Sequence, residues 1–301
     1  MPQGIHSGKL HWRAPSWVFP LSGMRELCEH GAMLVSLRPS RYWHARGASI
    51  ALSGALVAAP FVAPALAAGC SFAPQGEGRV AAVIDARGFR LEDGREVRLA
   101  GIEPVSSATT RKDRAAALAA LVAGHDVTLH GRDDAPDRYG RQVAFVYLAG
   151  TETLVQAELL RQGEALGSAD ATDKDCAMTL AAAEAQARQA KRGTWADAMV
   201  IKNAESSDDI LAGIGRFTLV EGKVLPVRQA GATTYLNFGR NWTRDFAVTI
   251  SRRMMPAIEA AGLNLKSLEN KRIRVRGFVE ARGGPRIEVL QVGQIEVLGM
   301  N

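Results

Sequence analysis

The run Asp137-Arg138-Tyr139-Gly140-Arg141 leads into Ala144-Phe145-Val146-Tyr147 and then into Leu159-Leu160-Arg161-Gln162-Gly163-Glu164-Ala165. A charged turn ending in Arg141 opens an apolar strand, read over 142–148. A helix over 153–162 follows and is closed by Gly163. Upstream, the stretch 78–99 reads as a β-meander. Val80-Ala81-Ala82-Val83-Ile84 is apolar, Asp85-Ala86-Arg87-Gly88 is a turn, and Phe89-Arg90-Leu91 alternates. Glu92-Asp93-Gly94-Arg95 carries the Asp-Gly pair of a hairpin turn, and Glu96-Val97-Arg98-Leu99 returns. Thr110, with Asp113 three residues on, caps a helix through Leu118, Leu121 and Val122 that Gly124 ends. Residues 126–130 read as another strand. Downstream, an Ala-rich helix over 174–192 stops at Gly193, with Trp195 just beyond.

This order of three strands, a helix, two strands and two helices resembles the staphylococcal-nuclease-like (thermonuclease) family. So do the 137–141 segment and the tail Glu184-Ala185-Gln186-Ala187, ending in Gly193-Thr194-Trp195. The resemblance covers 78–197. It implies an α+β fold, a five-stranded OB barrel with three helices, and phosphodiester hydrolysis as the family's chemistry. That chemistry needs a cation to screen the phosphate and activate water, a base, and fixed positive groups to hold the developing charge. The family supplies a calcium site from two aspartates and a backbone carbonyl, a glutamate base and two arginines.

Arg98 stands where the first of those arginines sits, and Arg141 where the second sits. A guanidinium fork grips two phosphate oxygens at once. The same residues carry plainer readings: Arg98 as a solvated strand residue opposite Glu92 or Glu96, and Arg141 as a loop ion pair with Asp137. The carboxylates depart from the family pattern. Its first turn reads Asp-Gly-Asp-Thr, and here Arg87 replaces the metal aspartate. Asp85 survives, in what is usually a supporting position. The second metal aspartate becomes Glu103, whose extra methylene displaces its oxygens. The Thr-Pro-Glu that follows becomes Pro104-Val105-Ser106, so the base is missing, a loss typically worth about 10²–10⁴ in rate. Asp85 and Glu103 would form at most a makeshift calcium site. The plain reading of Glu103 is a surface carboxylate paired with Arg98 or Arg141.

The chain of 301 residues has a net charge of +6, unevenly spread. Residues 69–214 hold 17 basic and 22 acidic side chains, and residues 215–301 hold 14 and 7, so the second part is the better polyanion binder by long-range field. Residues 48–68 are apolar and small, follow Arg38, Arg41 and Arg46, and end in Ala65-Leu66-Ala67-Ala68, the order of a secretory signal. Pro60 and Pro64 argue against a stable membrane span. The expectation is an exported protein, periplasmic or secreted, with residues 1–68 as extension and signal and Met33 as a rival start. Cys28 precedes the cleavage point. Cys70 and Cys176 remain, an even count suited to a disulfide in an oxidising compartment. The alternative is lipidation at Cys70, since Ala67-Ala68-Gly69-Cys70 resembles a weak lipobox.

The nuclease-like domain is expected over 69–197, and the polar stretch 198–214 as a linker. In 215–301, strands over 217–227, 234–238 and 246–250, a helix over 255–261 and a hairpin around Gly283-Gly284 give a second OB-like β-barrel. Arg228, Tyr235, Arg240, Trp242 and Arg244 interleave aromatics with cations, a pattern for base stacking and phosphate contact. Against this, Leu236 and Phe238 share the face that fills the barrel. No P-loop or dinucleotide fingerprint is present, and His125 and His130 lack a cysteine to make a zinc site. Three functions remain: a module that binds nucleic acid or another polyanion, a weak calcium-dependent nuclease using Arg98, Arg141, Glu103 and Asp85, or a structural envelope protein.

Overall fold

The computed structural model describes residue 70, residues 72–105 and residues 111–299. The signal segment, Cys28, Met33, Ser106 and Thr110 lie outside the described residues, as does the side chain of Asp113. The first barrel is closed, in the order β1-β2-β3-β6-β5: β1 (Pro74–Asp85), β2 (Gly88–Leu91), β3 (Glu96–Leu99), β5 (Asp126–His130) and β6 (Gln142–Leu148). Closure depends on β1, which has twelve residues. Its first half pairs with β5, from Pro74↔His130 to Arg79↔Asp126. Its second half pairs with β2, from Val80↔Leu91 to Asp85↔Gly88, and register shifts along the way bend it. β3 and β6 pair in parallel, Arg98 opposite Val143.

Alternation fills this barrel. Phe89, Leu91, Val97, Leu99, Val127, Leu129 and Val146 point inward, joined by Leu118 of α1 (Arg111–Val122) and by Leu159 and Leu160 of α2 (Val155–Gln162). The helix α3 (Lys174–Gln189) closes the domain. Gly163 and Gly193, both at positive φ, let the ends of α2 and α3 cross; a Cβ on either would overlap the other's backbone. A pair of three-residue strands, β4 (Ile102–Pro104) and β7 (Ala165–Gly167), is absent from the sequence reading. Both are too short to show a period.

The second sheet runs β10-β11-β12-β14-β13-β9-β8, with β15 (Ile295–Val297) also on β13. Its members are β8 (Ile201–Asn203), β9 (Phe217–Lys223), β10 (Val227–Ala230), β11 (Thr233–Asn237), β12 (Ala247–Ser251), β13 (Arg272–Arg282) and β14 (Gly284–Val289). The expected strand over 217–227 is broken after Lys223, giving β9 and β10. β10 pairs with β11 and β9 with β13, just as the halves of β1 divide between two neighbours. β12 and β14 are parallel, as β3 and β6 are, and the helix α5 (Met255–Ala260) again precedes the last two strands of the path. Counting β9 and β10 as one bent strand gives the strand order of the first barrel.

The stretch read as a linker is folded. Residues 201–203 are β8, parallel to β9, and α4 (Ser207–Leu211) buries Ile210 fully in the second core. Its polar residues misled because they occupy exposed faces, while Lys202 and Asp209 pair at 3.0 Å. The two barrels meet through Leu166, Ala187 and Trp195 of the first against Phe217 and Leu219 of the second. Arg276 of β13 reaches Glu184 of α3 at 2.9 Å and donates to the Gly167 carbonyl at 2.9 Å.

Candidate functional site

Four strands of the first barrel set the site. Asp85 pairs with Gly88, Gly88 with Arg98, and Arg98 with Val143, making one row across β1, β2, β3 and β6. Because Val97 and Leu99 fill the interior, Arg98 faces outward. The turn before β2 is held by Asp85 Oδ1, which accepts the Arg87 N–H at 2.9 Å, and the Arg87 carbonyl accepts the Leu99 N–H. These bonds aim Arg87 along the edge of β3. Glu103 of β4 lies opposite Leu166 of β7 and is only 7% exposed. Its Oε1 accepts from Arg98 Nη2 at 3.1 Å and is in ion-pair contact with Arg87 Nη1.

Arg141 stands just before β6. Its Nε and Nη2 donate to Asp137 Oδ2 at 3.0 and 2.7 Å, while Asp137 Oδ1 accepts the N–H groups of Tyr139 and Arg141. These bonds, the Arg141 side chain's first, hold the Asp137 carboxyl at about 2, below its ordinary 3.8. The Arg141 guanidinium is correspondingly raised, with Asp85 also contributing. Burial lowers Arg98 from its ordinary value, and the charges of Arg87 and Arg141 add to this, partly offset by Glu103 and Asp137. Arg98 thus feels the charges of both Arg87 and Arg141, in a cluster that also holds Asp85, Glu103 and Asp137.

The structure brings together Asp85, Arg98, Glu103 and Arg141. Glu103 pairs with Arg98, one of the two partners the plain reading offered, but it is buried and not at the surface, and its second partner is Arg87. Arg141 pairs with Asp137. The Arg87–Glu103 contact escaped the sequence reading because it needs the β4–β7 pairing to set Glu103 beside the turn. The residues present do not fit a calcium ion. The Glu103 carboxylate is taken by two guanidinium groups and Asp85 caps its own turn. Among the described residues no group of three or more His, Cys, Asp or Glu side chains could hold a metal ion.

On the second barrel, Arg228 and Tyr235 are paired across β10 and β11. Arg240, Trp242 and Arg244 lie in the loop between β11 and β12 of the same sheet, apart from the arginines of the first barrel. Arg286, missed from sequence, lies with its guanidinium 5.5 Å from the centre of the Tyr235 ring. Cys70 and Cys176 form a disulfide across 106 residues, which leaves no free thiol at Cys70 for an acyl chain. No helix among the described residues is long and apolar enough to cross a membrane.

A closed five-stranded barrel with helices packed on it is an OB-type fold. Residues 96–197 match the family of staphylococcal nuclease homologues, and this part of the chain is a staphylococcal-nuclease-like domain. The match begins at Glu96, so the turn that carries Asp85 and Arg87 lies outside it. No curated protein matches the chain.

Proposed function

We propose that the nuclease-like barrel binds nucleic acid, or a polyanion of similar phosphate spacing, through Arg87, Arg98 and Arg141, without calcium and without efficient hydrolysis. The observation that carries this reading is the Glu103 carboxylate clasped by Arg87 and Arg98. A guanidinium stands where the family places a metal ligand, so positive charge comes from the chain itself. Fixed cations without a base hold a phosphodiester but do not activate water against it. Export to an oxidising compartment is part of the proposal, supported by the Cys70–Cys176 disulfide.

The family match favours a second reading, calcium-dependent hydrolysis with Arg98, Arg141, Glu103 and Asp85 in the site. One experiment separates the two. Binding of a fluorescent oligonucleotide is followed by anisotropy, and its length by gel, in calcium and then in EDTA. Binding that falls steeply with salt, survives EDTA, leaves the oligonucleotide intact and weakens in Arg141→Ala supports the binding reading. Calcium-dependent shortening that Arg141→Ala abolishes overturns it.

A further inference from the structure

β11 alternates: Leu236 is buried, while Tyr235 and Asn237 face outward. One row on this face runs Arg228, Tyr235, Thr249, Glu288 across β10, β11, β12 and β14. The next brings Arg286 level with Ala247, from where its guanidinium covers the Tyr235 ring. Beyond β11 the chain enters a loop held by its own hydrogen bonds. Asn241 N–H donates to Asp245 Oδ2 at 2.8 Å, and the Thr243 N–H and hydroxyl both donate to Asn241 Oδ1. Gly284 of the β13–β14 hairpin passes so close to the Arg244–Asp245 backbone that no Cβ fits there. Trp242 nonetheless projects from this loop with 71% of its surface exposed.

Charge on this barrel is segregated. Arg272, Arg274, Arg276 and Arg282, on β13, all pair with glutamates. Arg228, Arg240, Arg244 and Arg286 form no ion pair among the described residues. These four arginines lie on the strands and loop around β11, with Asp245 in the same loop and Glu280 and Glu288 on neighbouring strands. Two aromatic rings lie among them, one on the sheet face and one on the loop.

We propose that this face binds single-stranded nucleic acid, with bases stacking on Tyr235 and Trp242 and phosphates met by the unpaired arginines. The inference goes beyond the reading above: it places a separate site on the second sheet and gives its ligand a form. Stacking needs base faces that a duplex keeps covered, whereas phosphate contacts alone serve either form. Strands two and three of an OB-type sheet are where such ligands lie, and β11 and β12 hold those places here.

The test uses the full chain in EDTA, with a fluorescein-labelled thymidine oligonucleotide of about 16 nucleotides and a duplex of the same length. Trp242→Ala and Tyr235→Ala are each expected to weaken single-strand binding about tenfold while changing duplex binding by less than about twofold. Trp242 is exposed, so its variant folds even if Tyr235→Ala does not. Unchanged single-strand affinity in Trp242→Ala, or equal losses on both forms, overturns the proposal. Arg141→Ala in the same assay separates the two barrels. If it changes nothing while Trp242→Ala weakens binding, the first-barrel reading fails and this one stands; the opposite pattern overturns this one alone.

Discussion

Arg87 changes what Glu103 can do. A buried carboxylate held by two guanidinium groups is an internal anion, and a phosphate entering the pocket must compete with it. Glu103→Gln removes that competitor, so it is expected to tighten oligonucleotide binding several-fold while lowering fold stability by about 1–3 kcal/mol. Titration calorimetry and urea unfolding read the two effects; weaker binding would mean that Glu103 helps the ligand. Asp137 gives a second test. Its folded value is depressed from 3.8 to about 2, so its contribution to stability is full above pH 4 and is lost as the pH falls toward 2. Thermal melts across that window should show a slope that Asp137→Asn flattens. The places of Arg98 on β3 and of Arg141 just before β6 were legible in sequence because flanking residues within a few positions carry the resemblance. The Arg87–Glu103 pair was not, because fifteen intervening residues must fold before the two side chains meet.

Elements with a local signal were legible. The Asp93-Gly94 turn, with Gly94 at φ 90, joins β2 to β3 as read, and Gly163 at φ 76 ends α2. Strands of three residues carry no period, so β4, β7 and β8 were missed, and with them the folded state of 198–214. Within Glu205-Ser206-Ser207-Asp208-Asp209-Ile210 only Ile210 is apolar, and a single buried side chain leaves no pattern to read. It is fully buried in the second core. Ile210→Ala is therefore expected to cost about 2–5 kcal/mol, measured by urea unfolding. A solvated linker would tolerate the same change within about 0.5 kcal/mol, and that result would show that α4 does not support the second barrel.

The chain repeats the strand order of its closed barrel in the second sheet, and a charged pair set beside an apolar seam joins the two. The side chains of Arg276 and Glu184 are 10% and 3% exposed, and Gly167 satisfies a further Arg276 donor. Sequence offered no sign of this pair, since its members lie 92 residues apart on elements assigned to different domains. Such a pair adds little net stability over an apolar one, but Glu184→Ala leaves the buried Arg276 with Glu296 at 3.8 Å as its remaining carboxylate and takes the acceptor from the Gly167 N–H, a loss on the order of 3–5 kcal/mol. If that penalty falls on the seam, the barrels lose their docking before either loses its core. Calorimetry should then show one unfolding transition for the native chain and a separated, earlier one in Glu184→Ala. Glu184→Leu combined with Arg276→Met should restore the single transition, because an apolar pair carries no stranded charge. A Glu184→Ala chain that melts as the native one does would mean that Leu166, Trp195, Phe217 and Leu219 hold the barrels together unaided. If docking does fail in Glu184→Ala, the basic face around Tyr235 moves freely relative to the arginine pocket. An oligonucleotide long enough to reach both barrels would then bind more weakly, while a short one would not.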